Sequence, residues 1–162
     1  MKSYLLSQLV FRFANRDLAT FEQSHAHDWL MWEPGRWKPP ASATVMLGDA
    51  APQAPAAKAS GEALALALLP GTSGNFTLGR GNECDAPIND GTLSQLHLVF
   101  MRSARGEWTV RDAGSKNGSW VDGKKLESGQ PIALRDGTRI VAAQVAFTYY
   151  TPNGMLARIK AP

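Results

Sequence analysis

From residue 62 onward the apolar positions alternate. Leu64, Leu66 and Leu68 are separated by alanines, and Phe76 and Leu78, Trp108 and Val110, and Val145, Phe147 and Tyr149 repeat the same two-residue period. That period sends successive side chains to opposite faces of a strand. Between the alternating runs stand Pro70-Gly71, Ser73-Gly74-Asn75, Asp90-Gly91, Arg105-Gly106, Asn117-Gly118, Asp122-Gly123, Ser128-Gly129 and Asp136-Gly137. Turn chemistry at such short intervals, with no run of helical length and period, predicts an all-β antiparallel sandwich over residues 62–152. Residues 153–162 read as a C-terminal tail.

Residues 1–40 are patterned differently. Over Tyr4–Phe13 two periods compete: Leu5, Leu6, Leu9, Val10 and Phe13 form a helical stripe, while Leu9, Phe11 and Phe13 alternate. Leu18, Phe21, His25 and Trp29 recur at helical spacing, with Asn15 or Asp17 placed to cap. The run Trp29-Leu30-Met31-Trp32 stops at Pro34-Gly35. So short a segment is marginal as an independent domain, which predicts a small docked subdomain, an appendage of mixed structure. His25 and His27 are read as polar positions on a helix surface. Trp29, Trp32 and Trp37 are read as packing, with a partner-binding patch as the other use of such aromatics. Residues 41–61, rich in Ala and Pro, hold too few large side chains to offset their ordering entropy and read as a linker.

Composition narrows the function classes. An apolar fraction of 44% with 19% charged residues describes a globular chain. The net charge of +3 comes from 17 basic and 14 acidic residues spread along the chain, which is no nucleic-acid footprint. Cys84 is the lone cysteine, so no intramolecular disulfide forms and a reducing compartment is expected. No apolar run approaches the roughly 20 residues of a membrane span. Leu5, Leu6, Leu9 and Val10 are followed closely by Arg12 and Arg16 with no cleavage site, so no signal peptide and a cytoplasmic location are expected. Catalysis finds no support. Ser94 and His97 lack an orienting third group, no His/Cys/Asp cluster has metal-ligand spacing, and no glycine run forms a nucleotide loop, so neither metal nor cofactor is expected.

The chemistry lies instead in three separated loop segments: Leu78-Gly79-Arg80; Ser94-Gln95-Leu96-His97 before an apolar run Leu98–Met101; and Ser115-Lys116-Asn117-Gly118. Strand-end loops of a sandwich gather at one edge, on a rigid scaffold. Arg80 offers a planar donor fork suited to phosphate, Ser94 a hydroxyl donor, and Asn117 an amide that both donates and accepts, as an extended peptide backbone requires.

This ordered set, Gly-Arg, then Ser-x-x-His, then Asn-Gly, over residues 62–151 resembles the forkhead-associated family. The resemblance implies an antiparallel β-sandwich of about eleven strands that binds phosphothreonine peptides. It also implies roles. Arg80 and Ser94 would bind phosphate, with Gln95 and Lys116 flanking them, and Asn117 would hold the peptide backbone beyond the phosphothreonine. Gly79 would permit the tight approach into the Arg80 loop, His97 would brace the Ser94 loop, and Gly118 would supply hairpin geometry. Gln95 departs from the family, which often carries Arg, Lys or Asn there. A charge-assisted hydrogen bond is worth about 1.5–3 kcal/mol against roughly 1 for a neutral one. The loss is on the order of tenfold in affinity unless Lys116 or Arg102 compensates.

The resulting expectation is a non-enzymatic adaptor that recognises phosphothreonine on a partner protein in Ser/Thr kinase signalling. The alternative is a phosphorylation-independent scaffold or assembly subunit working through the sandwich surface and the Trp-rich N-terminal region. A narrower variant makes Thr44, with Leu47 three residues on, a candidate phosphoacceptor for intramolecular or head-to-tail self-association.

Overall fold

The computed structural model describes residues 1–33 and 63–161. Trp37, Thr44, Leu47 and the linker 41–61 lie outside the described residues. In chain order the elements are β1 (Ser3–Leu5), α1 (Leu6–Phe13), α2 (Leu18–Ser24), β2 (Asp28–Trp32), β3 (Leu64–Leu68), β4 (Phe76–Gly79), β5 (Ala86–Pro87), β6 (Leu98–Arg102), β7 (Trp108–Asp112), β8 (Ser119–Val121), β9 (Lys124–Lys125), β10 (Ile132–Ala133), β11 (Arg139–Ala142), β12 (Val145–Tyr150) and α3 (Pro152–Lys160). They build an all-β sandwich with few helices. One sheet has seven strands in the order β1-β3-β2-β12-β11-β8-β9, the other five in the order β10-β7-β6-β4-β5. The strand pairs are antiparallel except β4 and β5, which run parallel.

The two-residue period explains the layering. Leu66 and Leu68 of β3 face the core between the sheets, with Leu30, Phe76, Phe100, Ile140 and Phe147. Each such side chain contributes about 1.5–3 kcal/mol on full burial. Ala65, just before Leu66, faces the other way, into a second apolar cluster with Leu9, Phe13, Phe21, Trp29, Met31, Met155 and Ile159. Small alanines on that face leave room for the helices against the sheet.

The N-terminal segment is built in more deeply than a docked subdomain. β2 is an inner strand, paired through Asp28–Trp32 with β3 and through Trp29–Trp32 with β12. The competing periods over Tyr4–Phe13 resolve as strand then helix. The helical spacing that included Trp29 breaks: α2 ends at Ser24, and Trp29 enters β2, fully buried. Asp17 is the cap of α2, its carboxylate accepting from Thr20 N–H at 2.9 Å. His25 does not sit on a helix surface; it is 4% exposed. The tail is a helix, opened by Pro152 after the capping residue Thr151, with Arg158 and Lys160 in its last turn.

Candidate functional site

The topology brings the three loop segments together. β4 ends at Gly79, β6 starts at Leu98 and β7 ends at Asp112, and the register aligns Leu78 with Leu98 and Leu98 with Asp112. Neighbouring antiparallel strands therefore present these three ends at one edge of the five-stranded sheet. Arg80 leaves β4 there, Ser94–His97 leads into β6, and Ser115–Gly118 leaves β7.

Backbone contacts lay the first two segments on each other. Arg80 N–H donates to the Ser94 carbonyl at 2.9 Å and Gly81 N–H to the Gln95 carbonyl at 3.0 Å. A Cβ on Gly79 would stand 2.4 Å from the Gln95 carbonyl oxygen, so only glycine permits this approach. The half-buried Arg80 is aimed by its Nε–H, which donates to the Leu93 carbonyl at 3.1 Å.

His97 ties the second segment to the third. Its Nδ1 accepts from Ser94 N–H at 3.1 Å, so its Nε2 carries the proton and donates to the Gly118 carbonyl at 3.0 Å. The ring is fully buried, and burial lowers its pKa from 6.5 against the opposing pull of the Gly118 carbonyl and of Asp112 and Asp90. Ser94 Oγ accepts from Lys116 N–H at 3.1 Å, an arrangement that turns its own proton elsewhere. The Lys116 side chain is exposed. Asn117 Nδ2 donates to the Thr92 carbonyl at 2.8 Å, bridging back to the segment before β6. Gly118 has φ +82, but not in a hairpin: residues 113–118 cross from the five-stranded sheet to β8 of the other.

Two acidic residues that the motif omits shape these loops. Asp112 is 4% exposed and accepts from Gly114 N–H and Ser115 N–H at 2.8 Å, and from the hydroxyls of Ser115 at 2.6 Å and Ser119 at 2.5 Å. Burial alone would raise its pKa, but the Ser115 and Ser119 hydroxyls and the backbone amides outweigh it and hold it below the usual value. Asp90 accepts from Thr92 N–H at 2.8 Å and Thr92 Oγ1–H at 2.5 Å, fixing the carbonyl that Asn117 uses. The Asp112-x-x-Ser115 and Asp90-x-Thr92 spacings are local capping patterns legible in the sequence. Arg102 is at the far end of β6, about 13 Å along the strand from Leu98, and its guanidinium lies beside Gly106. It cannot compensate for Gln95.

Gln95 is exposed yet engaged. With its carboxamide oxygen facing Arg80, that oxygen accepts from both Nη1 and Nη2 at 3.1 Å. Its carbonyl also accepts from Cys84 Sγ at 3.2 Å. Among the described residues no group of three His, Cys, Asp or Glu is placed to hold a metal, and no helix is long and apolar enough to cross a membrane.

A two-sheet β-sandwich with an arginine fork, a serine hydroxyl and an asparagine amide gathered on one loop-built edge defines the class of the protein. Residues 76–142 match the family model described as the FHA domain, so the chain carries a forkhead-associated domain. Over 48 residues the chain is 42% identical to the E3 ubiquitin-protein ligase rnf8-B of Xenopus laevis, covering 30% of this chain and 9% of that protein. The rnf8 ligase of Danio rerio is 35% identical over 48 residues, 10% of its length. The chain thus spans about a tenth of the curated relatives it matches. The solution structure of the FHA domain of an Arabidopsis thaliana hypothetical protein superposes with a TM-score of 0.50 at 20% identity, covering 78% of this chain and 88% of that one. That likeness shows the fold. The N-terminal FHA domain of Saccharomyces cerevisiae Rad53p, solved with a phosphothreonine peptide, has a TM-score of 0.46 at 23% identity over 52% of this chain and 73% of that one.

Proposed function

We propose that this chain is a non-catalytic adaptor that recognises phosphothreonine on a partner protein in Ser/Thr kinase signalling. The observation that carries the reading is the His97 bridge, with its ring joined to Ser94 N–H on one side and the Gly118 carbonyl on the other. It fixes the spacing between the Ser94 hydroxyl and the Asn117 amide before any ligand arrives, and such preorganisation lowers the cost of binding. Arg80 supplies the charge and Asn117 the peptide contact. A phosphothreonine peptide library screened against wild type and Arg80→Ala tests it. Binding in the micromolar range that needs the phosphate, and that falls by about tenfold or more in Arg80→Ala, is expected. Equal binding of phosphorylated and unphosphorylated peptides would overturn it.

One observation favours a phosphorylation-independent scaffold as the second reading. α1 leaves Phe11 92% exposed, beside a groove lined by Tyr4, Leu9 and Arg12. Because β2 is an inner strand, removing residues 1–40 would dismantle the sheet. Phe11→Ser is the informative variant: an interaction that survives Arg80→Ala and is lost on Phe11→Ser supports the scaffold.

A further inference from the structure

Gln95 contributes more than a missing charge. Its oxygen sits at the mouth of the Arg80 fork, 3.1 Å from both terminal nitrogens, where a ligand oxygen would seek the same donors. The backbone beneath is fixed, since the Gln95 carbonyl receives Gly81 N–H at 3.0 Å and stands 2.4 Å from where a Cβ of Gly79 would lie. The side chain is exposed, so its carboxamide can turn while its backbone stays. The other terminal atom of the carboxamide faces Gly81, where a Cβ would stand 2.9 Å away, and the glycine leaves that space open.

Resting on the phosphate-binding reading of the site, we propose that Gln95 caps the Arg80 fork in the ligand-free domain and turns its carboxamide over when a phosphate arrives, so that residue 95 sets the preference for phosphate over carboxylate. A neutral carbonyl offers the guanidinium only its dipole, whereas an anion adds a full opposite charge and holds the fork more strongly. Any anion must therefore displace the cap. A phosphate has three terminal oxygens: with the fork and the Ser94 hydroxyl served, one remains to accept from the released carboxamide nitrogen. A carboxylate has two, one at the fork and one at the serine, and presents no third oxygen toward Gln95, so it recovers less from the turned carboxamide. The cap thus lowers affinity for carboxylates by the fraction of molecules in which it is closed, while phosphates regain that loss.

The test uses the full chain, a degenerate peptide pool with phosphothreonine fixed at its centre, and the same pool with glutamate in its place. Gln95→Met keeps the length of the side chain and removes both amide atoms, and Gln95→Ala removes the side chain. In both variants the glutamate pool is expected to bind about threefold more tightly than to wild type, while the phosphothreonine pool gains nothing, so the preference for phosphate narrows. In wild type the Gln95 carboxamide signals in an amide NMR spectrum are expected to move with the phosphothreonine pool. A preference unchanged in both variants, including the case in which the glutamate pool binds no protein measurably, overturns the cap. Failure of the phosphothreonine pool to bind wild type overturns the reading of the site itself.

Discussion

The ring of His97 accepts the backbone N–H of Ser94 through Nδ1 at 3.1 Å, so the loop that presents the serine hydroxyl is held by an imidazole that must stay neutral. Protonation would turn that acceptor into a donor facing a donor. Burial holds the folded pKa below 6.5. A group whose folded pKa is depressed lends its stability in full above the unfolded value, and that stability is lost as pH falls through the folded one. Thermal unfolding of the ligand-free protein is therefore expected to drop as pH falls below about 6.5. His97→Ala should cost about 1–3 kcal/mol at neutral pH by stranding the Ser94 N–H and the Gly118 carbonyl, and should flatten the acid limb. Arg80→Ala gives up its bond to the Leu93 carbonyl, about 1 kcal/mol, but should leave the acid limb as in wild type, which separates the two roles.

Gly79→Ala tests the close approach. The added carbon would lie 2.4 Å from the Gln95 carbonyl oxygen, a backbone atom that no rotamer change can move aside. Overpacking of this kind costs about 1–3 kcal/mol. The collision also separates Arg80 from Ser94, so phosphopeptide affinity should fall by more than the stability loss accounts for. Calorimetric titration beside a denaturation curve reads both.

Asn117→Ala should show two effects where a pure ligand contact would show one. The Nδ2–Thr92 carbonyl bond of 2.8 Å ties the β7–β8 crossing to the segment before β6, so its loss should lower stability by about 1 kcal/mol. Peptide affinity should fall for phosphorylated ligands without a change in its salt dependence, because the lost contact is to backbone and not to charge. A variant of unaltered stability would show that the Thr92 contact carries nothing.

The sandwich was legible because its strands carry a clean two-residue period. β3, β4, β7 and β12 coincide with the alternating runs, and the glycine-bearing turns bound them. The N-terminal strand β2 was harder to read. Trp29-Leu30-Met31-Trp32 is apolar throughout because it is covered on both faces, by the opposite sheet at Leu30 and by the helices at Trp29 and Met31. A strand buried on both sides loses its alternation. The three loop landmarks could be read as a motif, but the residues that hold them showed only as local Asp-x-x-Ser and Asp-x-Thr spacings, with nothing to say what they brace. Asp112 and Asp90 act through bonds to backbone amides and hydroxyls two to seven positions away, and their consequence appears only when the loops close on each other. Gln95, read as a missing charge, proves to be a partner of Arg80.

His25 supplies the last prediction. Its ring is enclosed by Tyr4, Phe13, Phe21, Trp29 and His27 at centroid distances of 5.1, 5.4, 5.4, 5.2 and 5.6 Å. Neither ring nitrogen makes a hydrogen bond, and a buried polar atom without a partner costs about 1–3 kcal/mol. Burial first, then the neighbouring His27 and Arg12, lower its pKa below 6.5, so its contribution too is lost as pH falls below about 6.5. His25→Phe keeps an aromatic ring in the cluster and removes both stranded nitrogens. The variant is expected to gain about 1 kcal/mol at neutral pH and to lose less than wild type on acidification, with phosphopeptide affinity unchanged because the site lies at an edge of the other sheet. Unfolding curves at about pH 7.5 and about pH 5.5 decide the point. A variant less stable than wild type at the higher pH would mean that packing around the larger ring outweighs the stranded nitrogens.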